Sequence, residues 1–259
     1  MAQAQENDGR VNWSSRLYLA FADDPQPAID FLEWLIGQYE LPPASHILDL
    51  GAGPGAVFSC YDERPWSVLA LEPDPDFLAY AKQVAAGMDS IEVRQGGFAD
   101  VAEQEQFDLA VSINGGFAYL LECEAQRDAL RRLYAALKPG GVLLLDIPNL
   151  LWFLRYEPDV KHYTARLDEL TVDFWRRCFF DYHEAQFVQT NEYVVRDNEG
   201  QRLVVRKTHS HVIWTYPALS QLLRTCGFVE LQTYDDYTAR ESDRLNGPRI
   251  MVAARRPAV

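Results

Sequence analysis

Cysteine is scarce in this chain, and none of it is paired by spacing: Cys60, Cys123, Cys178 and Cys226 stand far apart with no C-x-x-C among them. A disulfide framework and a thiolate metal site are thereby excluded, leaving buried thiols suited to a reducing compartment. No apolar run approaches the roughly 18 residues of a membrane span. The opening Met-Ala-Gln-Ala-Gln-Glu-Asn-Asp lacks the basic and apolar regions of a secretory leader, so the expected location is the cytoplasm, with no membrane partner. Positive charge is also in short supply, 24 Lys and Arg against 38 Asp and Glu, for a net charge of −14. The whole excess falls in residues 1–150, which hold 23 acids and 9 bases, whereas residues 151–259 hold 15 of each. Nucleic-acid binding relies on Lys and Arg neutralising phosphates, so nucleic-acid partners are disfavoured; most individual acids read as a solvated face. A length of 259 residues with 48% hydrophobic content suits one α/β domain carrying an insertion.

One stretch organises what is present. Residues 46–55, His-Ile-Leu-Asp-Leu-Gly-Ala-Gly-Pro-Gly, read as a short buried strand running into a glycine-rich turn. Ile47, Leu48 and Leu50 supply the strand, while Gly51, Gly53 and Gly55 remove the Cβ atoms that would hold the backbone away from a ligand. A second apolar run, 68–71, ends on Glu72, where a carboxylate suits the paired hydroxyls of a ribose. A nucleoside is the ligand these features point to. Gly51, Gly53 and Ala56 also satisfy the fingerprint of dinucleotide-binding turns, which keeps an NAD-dependent oxidoreductase open. Asp49 argues against it, because charge at the strand end repels a pyrophosphate and favours an amino group or a sulfonium.

With Asp49, the G-x-G-x-G of Gly51, Gly53 and Gly55, and Glu72 closing the second strand, the chain resembles the class I S-adenosylmethionine-dependent methyltransferases over about residues 30–255. The resemblance implies an α/β, doubly wound, Rossmann-like seven-stranded sheet of order 3-2-1-4-5-7-6 with its last strand antiparallel. It further implies S-adenosyl-L-methionine as methyl donor and transfer to an N or O atom of a small molecule, in a monomer or homodimer. The implied donor contacts are Asp49, Gly51, Ala52, Gly53, Gly55, Glu72 and Pro73, then Gly97 and Phe98 after the third strand, and Asn114 and Gly115 after the fourth. Relatives often place an acid for the adenine amino group where this chain has Gly97. Base recognition is therefore expected from the backbone of Gly97 and Phe98 and from the Phe98 ring. That substitution, with a faint catalytic set, keeps a second class open: a module that holds the nucleoside without turning it over.

Along the chain, residues 1–12 are polar, and Trp13, Leu17, Tyr18, Leu19 and Phe21 crowd the stretch before Asp23-Asp24-Pro25. Residues 1–24 read as a lid over the cofactor or as a helix plugged into the sheet edge. Residues 25–150 and 214–259 form the expected core. Ile29, Leu32, Leu35, Ile36 and Tyr39 predict a helix stopped by Pro42-Pro43. Further helices are predicted from near Gly55, its N-terminal dipole toward the ligand, and over 77–86, 124–137 and 217–226. Strands are predicted at 91–95, 107–113, 142–147, 228–234 and 248–255. Residues 151–213 change character. After an aromatic-rich connection, 170–180, 184–196 and 202–214 read as an antiparallel β insertion over the substrate side, the last two joined by a hairpin turn at 197–200. Members of the resembled family that act on amino sugars or glycine commonly carry an insert here.

Methyl transfer from a sulfonium asks mainly for alignment of nucleophile, methyl carbon and sulfur, so a strong base is optional. In the amino-sugar relatives a hydrogen-bonding residue follows the fourth strand, and Tyr119 holds that position here; the alternative is a packed tyrosine with a satisfied hydroxyl. Tyr18 and His211 complete the candidate catalytic set. His209 and His211, two apart on a predicted strand, share one face. No third ligand stands at a recognisable spacing, so no metal is expected and His211 is assigned to the substrate pocket.

Overall fold

The computed structural model describes residues 13–238 and 241–258; the polar stretch 1–12 lies outside the described residues. In chain order come α1 (Trp13–Leu19), α2 (Gln26–Gln38), β1 (His46–Leu50), α3 (Phe58–Asp62), β2 (Ser67–Glu72), α4 (Pro75–Val84), β3 (Ile91–Gln95) and β4 (Phe107–Ser112). After α5 (Cys123–Ala136) and β5 (Leu137–Pro148) follow α6 (Leu150–Tyr156), β6 (Val160–Leu167), β7 (Leu170–Asp181), β8 (Gln186–Arg196) and β9 (Arg202–Val212). The last elements are α7 (Tyr216–Thr225), β10 (Val229–Tyr234) and β11 (Arg249–Arg255).

Strand alternation determines where the core sits. On β1, Leu48 and Leu50 face the same side as Leu143, Leu145 and Ile147 of β5, packed under α5 and α7. Ile47 and, from β5, Val142 and Leu144 face the other side, under α2, α3 and α4. Both faces are covered, so the central strands are apolar on both, as a parallel sheet requires. The strand order β10-β11-β5-β4-β1-β2-β3 is the one expected, with β11 antiparallel to both neighbours. Among the described residues no helix is long and apolar enough to cross a membrane.

A second, four-stranded antiparallel sheet, β6-β7-β8-β9, is built from the chain between α6 and α7. One of its faces carries Val172, Phe174, Tyr193 and Val195, against which Leu17 of α1 is buried. Its other face is polar, with Glu192 paired to Arg206 and His162 stacked 4.0 Å from Trp175. The hairpin at 197–200 is present, its amides at Glu199 and Gln201 donating to Asp197 Oδ1.

Three expectations need correction. The helix after the glycine turn does not begin near Gly55: Gly51, Gly53 and Gly55 all have left-handed φ (74°, 59° and 80°), which a right-handed helix cannot contain, so α3 starts at Phe58 and lasts five residues. The aromatic-rich connection contains α6 and a fourth strand, β6, hidden in the sequence because its side chains are mostly exposed and its backbone pairing with β7 holds it. Strand β5 begins at Leu137, taking in Lys138-Pro139-Gly140-Gly141. A Cβ on Gly141 would stand 2.9 Å from the Lys138 carbonyl oxygen, so only glycine lets the strand pass there.

Two consecutive arginines at the end of β11 clip helices on opposite faces of the sheet. Arg255 donates to the Tyr39 carbonyl at the end of α2 (3.2 Å). Arg256 donates to the carbonyls of Tyr134 (3.0 Å) and Leu137 (2.6 Å) at the end of α5, and its guanidinium lies over the Tyr134 ring. Cations satisfying terminal carbonyls oppose the negative end of the helix dipole. Arg256→Met is expected to cost about 1–3 kcal/mol, read as a lower urea midpoint at unchanged slope; an unmoved midpoint would show the clip to be incidental.

Candidate active site

The three left-handed glycines bend the backbone sharply after β1, and the bend is fastened to the exit of β2. Amides of Gly51 and Ala52 donate to the Leu71 carbonyl (2.8 and 3.2 Å). Glu72, 3% exposed, accepts from Gly53 N through Oε2 and from Asp74 N through Oε1, both at 2.7 Å. Each carboxylate oxygen has two acceptor positions, so one remains on each for a diol. Burial raises the Glu72 pKa, and the two amides oppose that rise. Next to the bend a Cβ on Gly116 would stand 2.7 Å from Ser112 Oγ and 3.3 Å from the Leu50 carbonyl oxygen, so the loop after β4 lies directly on the end of β1. Gly115 has φ 89° and its amide donates to the Asp146 carbonyl (2.9 Å). Pro73 and Ala52 flank these contacts in the chain. Backbone laid bare by glycine beside a carboxylate with open acceptor positions fits an adenosyl ligand.

Asp49 and Phe98 sit otherwise than the sequence suggests. The Asp49 side chain is turned beneath the bend, 3% exposed, accepting from the Tyr61 hydroxyl (3.2 Å). Burial pushes its pKa up to about 7, with the Tyr61 bond opposing and Glu72 adding to the rise. It is therefore not an open charge facing a ligand. The Phe98 ring is buried and meets Phe117 edge-on at 5.7 Å, so it belongs to the core. Beside it the Gly97 amide donates to Asp100 Oδ2 (2.9 Å). An exposed carboxylate, that of Asp100, thus does stand in this turn, three residues beyond Gly97.

Tyr18, Asn114, Tyr119 and His211 line one cavity of about 270 Å³ between the bend and the second sheet. Its sheet wall follows from period-two alternation: Phe187, Gln189, Asn191 and Tyr193 on β8, and Val205, Lys207, His209 and His211 on β9. Of these, the sequence singles out His209 and His211; the same alternation points to the rest. The Tyr119 and His211 rings lie 4.3 Å apart, and His209 is 5.8 Å from Tyr119. Burial, then the neighbouring His209, pushes the His211 pKa down to about 4, so its imidazole is neutral. Its Nδ1 is buried with no hydrogen-bond partner. Tyr119 is 46% exposed, and its open side is cavity wall. Desolvation, with Tyr18 and Glu72 contributing, raises its hydroxyl to about 12, so it stays protonated. Lys207 links cavity to bend, pairing with Asp74 (3.2 Å) and lying over the Phe77 ring. Among the described residues no three His, Cys, Asp or Glu side chains group as metal ligands.

Residues 47–141 match a family model described as a methyltransferase domain. A putative methyltransferase of Bacillus subtilis, YqeM, is 23% identical over 218 residues, covering 83% of this chain and 85% of that protein. The sugar N-methyltransferase KedS8 from Streptoalloteichus has a similar fold, with TM-score 0.76 at 17% identity, covering 99% of this chain and 98% of that one. CalS10 from Micromonospora echinaspora, an amino pentose methyltransferase with S-adenosylmethionine bound, matches with TM-score 0.73 at 21% identity over 98% of this chain and 100% of that one.

The buried Asp49 leaves a measurable trace. Its carboxyl holds a proton in the folded protein up to about pH 7, whereas the unfolded chain releases it near the ordinary value of 3.8, so stability falls as pH rises between those values. Asp49→Asn keeps an acceptor for Tyr61 without the charge. It is expected to be more stable than the parent at pH 8 by about 2–4 kcal/mol, with the gain vanishing near pH 4; a difference independent of pH in urea titrations would refute the buried-acid account.

Proposed function

We propose that the chain is a class I S-adenosylmethionine-dependent methyltransferase that methylates an amine or hydroxyl of a small polar molecule held in the cavity against the second sheet. The carrying observation is that cavity: about 270 Å³, walled by ring faces and by Gln189, Asn191, His209 and Lys207, with Tyr18 of α1 and Asn114 from the loop after β4 also on its wall. A volume near the lower end of ligand pockets suits one sugar-sized molecule. An amino sugar is the favoured acceptor, a reading supported by the likeness to KedS8 and CalS10, which are sugar methyltransferases by name.

In this reading Gly51, Ala52, Gly53 and Gly55 pass beneath the donor, Glu72 takes the ribose hydroxyls, and Pro73 and the Gly97–Phe98 backbone border the base. Asp100 accepts from the adenine amino group. The first helix, hydrogen-bonded to α4 through Ser14 and Asp76 (3.1 Å), covers the site as a lid. S-adenosylmethionine supplies, when bound, a methyl carbon on a sulfonium leaving group. Held by the glycine bend and Glu72, that methyl carbon would be open to displacement by the acceptor's lone pair, with the sulfur as leaving group. Alignment is the protein's main task. The Tyr119 hydroxyl oxygen and the neutral His211 imidazole each accept an N–H or O–H of the bound molecule, which leaves the acceptor atom's lone pair free to face the methyl carbon. A group with a pKa of about 4 holds a proton poorly at neutral pH, so His211 orients and the proton leaves to solvent.

Tritium-methyl transfer over amino sugars, simple amines and polyols tests the assignment: turnover is expected with amino sugars. Silence across the panel, with donor binding demonstrated by calorimetry, would favour a non-catalytic binding module. Tyr119→Phe and His211→Leu are each expected to lower kcat about 10–100-fold while donor affinity stays unchanged. Because His211 remains neutral, the rate should show no break near pH 6.5; a histidine-like inflection lost in His211→Leu would make it the base. Glu72→Ala should weaken donor binding at least about tenfold, equivalent to 1.4 kcal/mol, and unchanged affinity would mean that the ribose lies elsewhere.

A further inference from the structure

The donor ends in an amino acid, so its far end carries an α-ammonium and an α-carboxylate. With the ribose at Glu72 on β2, the chain beyond the sulfur must cross the bend toward the other neighbour of β1, which is β4. At the carboxyl end of β4 stands Asn114, in the left-handed conformation (φ 58°) and on the cavity wall. Glu72 and Asp146 are both buried in this neighbourhood, and a carboxylate would be repelled there without a cation to meet it.

Arg249, the first residue of β11, supplies that cation. Its Nη1 and Nη2 both donate to Asn114 Oδ1 at 3.2 Å, which occupies the end of the guanidinium fork. Nη1 also donates to Asp146 Oδ2 at 2.7 Å. The same oxygen accepts from the Asn114 amide (2.9 Å) and from the Tyr237 hydroxyl (2.6 Å). The Asp146 side chain is wholly buried, and the guanidinium lies 4.7 Å over the Tyr237 ring. Three of the five guanidinium N–H groups are thereby placed, and the plane of the group is fixed against an aromatic face. The Nε–H and the outer N–H of Nη2 remain. They form the side edge of the fork, the edge that grips a carboxylate in two parallel hydrogen bonds, and no partner for them occurs among the described residues. Lys207, the cation on the opposite flank of the bend, is engaged by Asp74. Burial raises the Tyr18 pKa, and Asp23, Arg249 and Glu72 are the charges its hydroxyl feels.

We infer that Arg249 is the anchor of the donor's α-carboxylate, held ready by Asp146, Tyr237 and Asn114 so that its free edge meets the amino-acid end of the ligand. The sites for ribose and carboxylate then sit on strands β2 and β11, on opposite sides of β1, and together they fix the position of the sulfur between them.

Calorimetric titration of the full chain with two unreactive ligands tests this. S-adenosylhomocysteine carries the carboxylate; 5′-methylthioadenosine keeps the adenosine and sulfur but lacks the amino acid. Arg249→Met is expected to weaken S-adenosylhomocysteine 30- to 100-fold while changing 5′-methylthioadenosine less than threefold. Arg249→Lys, which keeps a cation for Asp146 and is the variant to use if the methionine change fails to fold, should show about tenfold loss for the first ligand alone. Unchanged S-adenosylhomocysteine affinity would overturn the assignment. Equal loss of both ligands would also overturn it, since Arg249 would then act only by shaping the loop after β4. Failure of the unaltered protein to bind S-adenosylhomocysteine would overturn the donor assignment itself, distinguishably from either result.

Discussion

The carboxylate of Glu72 is the tie on which the site depends. One oxygen holds the amide of Gly53 and the other the amide of Asp74, so the bend after β1 and the turn after β2 are a single fastened unit. Asp74 continues the connection. It caps α4 through the amides of Asp76 and Phe77 and pairs with Lys207 of the second sheet. From the glycine bend, therefore, an unbroken series of polar contacts runs through α4 to the wall of the cavity. The glycine bend and the wall of the cavity thus share one support.

Three acids, Asp49, Glu72 and Asp146, are buried near the carboxyl ends of β1, β2 and β5. Burying a carboxylate is costly unless donors replace its water. Donors meet each: the Tyr61 hydroxyl for Asp49, two amides for Glu72, and an amide, a hydroxyl and a guanidinium on Oδ2 of Asp146, whose Oδ1 is buried without a partner. Such concentrations of desolvated charge are characteristic of functional sites. Here they fall on the one edge of the sheet where ligands bind in doubly wound folds.

Much of this was readable before any coordinates. The strand, the three glycines and Glu72 carry their own geometry, because left-handed φ and a short apolar run each permit few alternatives. Strand order followed from the family resemblance. Less legible were features that local pattern does not encode. Strand β6 is held by backbone pairing while its side chains point to solvent, so its residues give no alternation to read. The inward turn of Asp49 depends on Tyr61, twelve residues on, and the burial of Phe98 depends on Phe117. The partnership of Arg249 with Asn114 bridges 135 residues, beyond any spacing rule. Tyr18, Tyr119 and His211 stand far apart in the chain, and their meeting at one cavity is a product of the tertiary fold.

Strand β11 enters between β5 and β10, and its pairing with β5 closes a loop containing the entire second sheet. The contact of Arg255 with Tyr39 spans 216 residues. Closing such distances carries a large entropic cost before any contact rewards it, which slows folding. The same strand brings Arg249 to Asn114 and delivers both helix clips. Pairing of this edge of the sheet and the clipping of its flanking helices thus depend on one strand, and a chain still emerging from the ribosome holds its apolar edge at β5 open until β11 arrives.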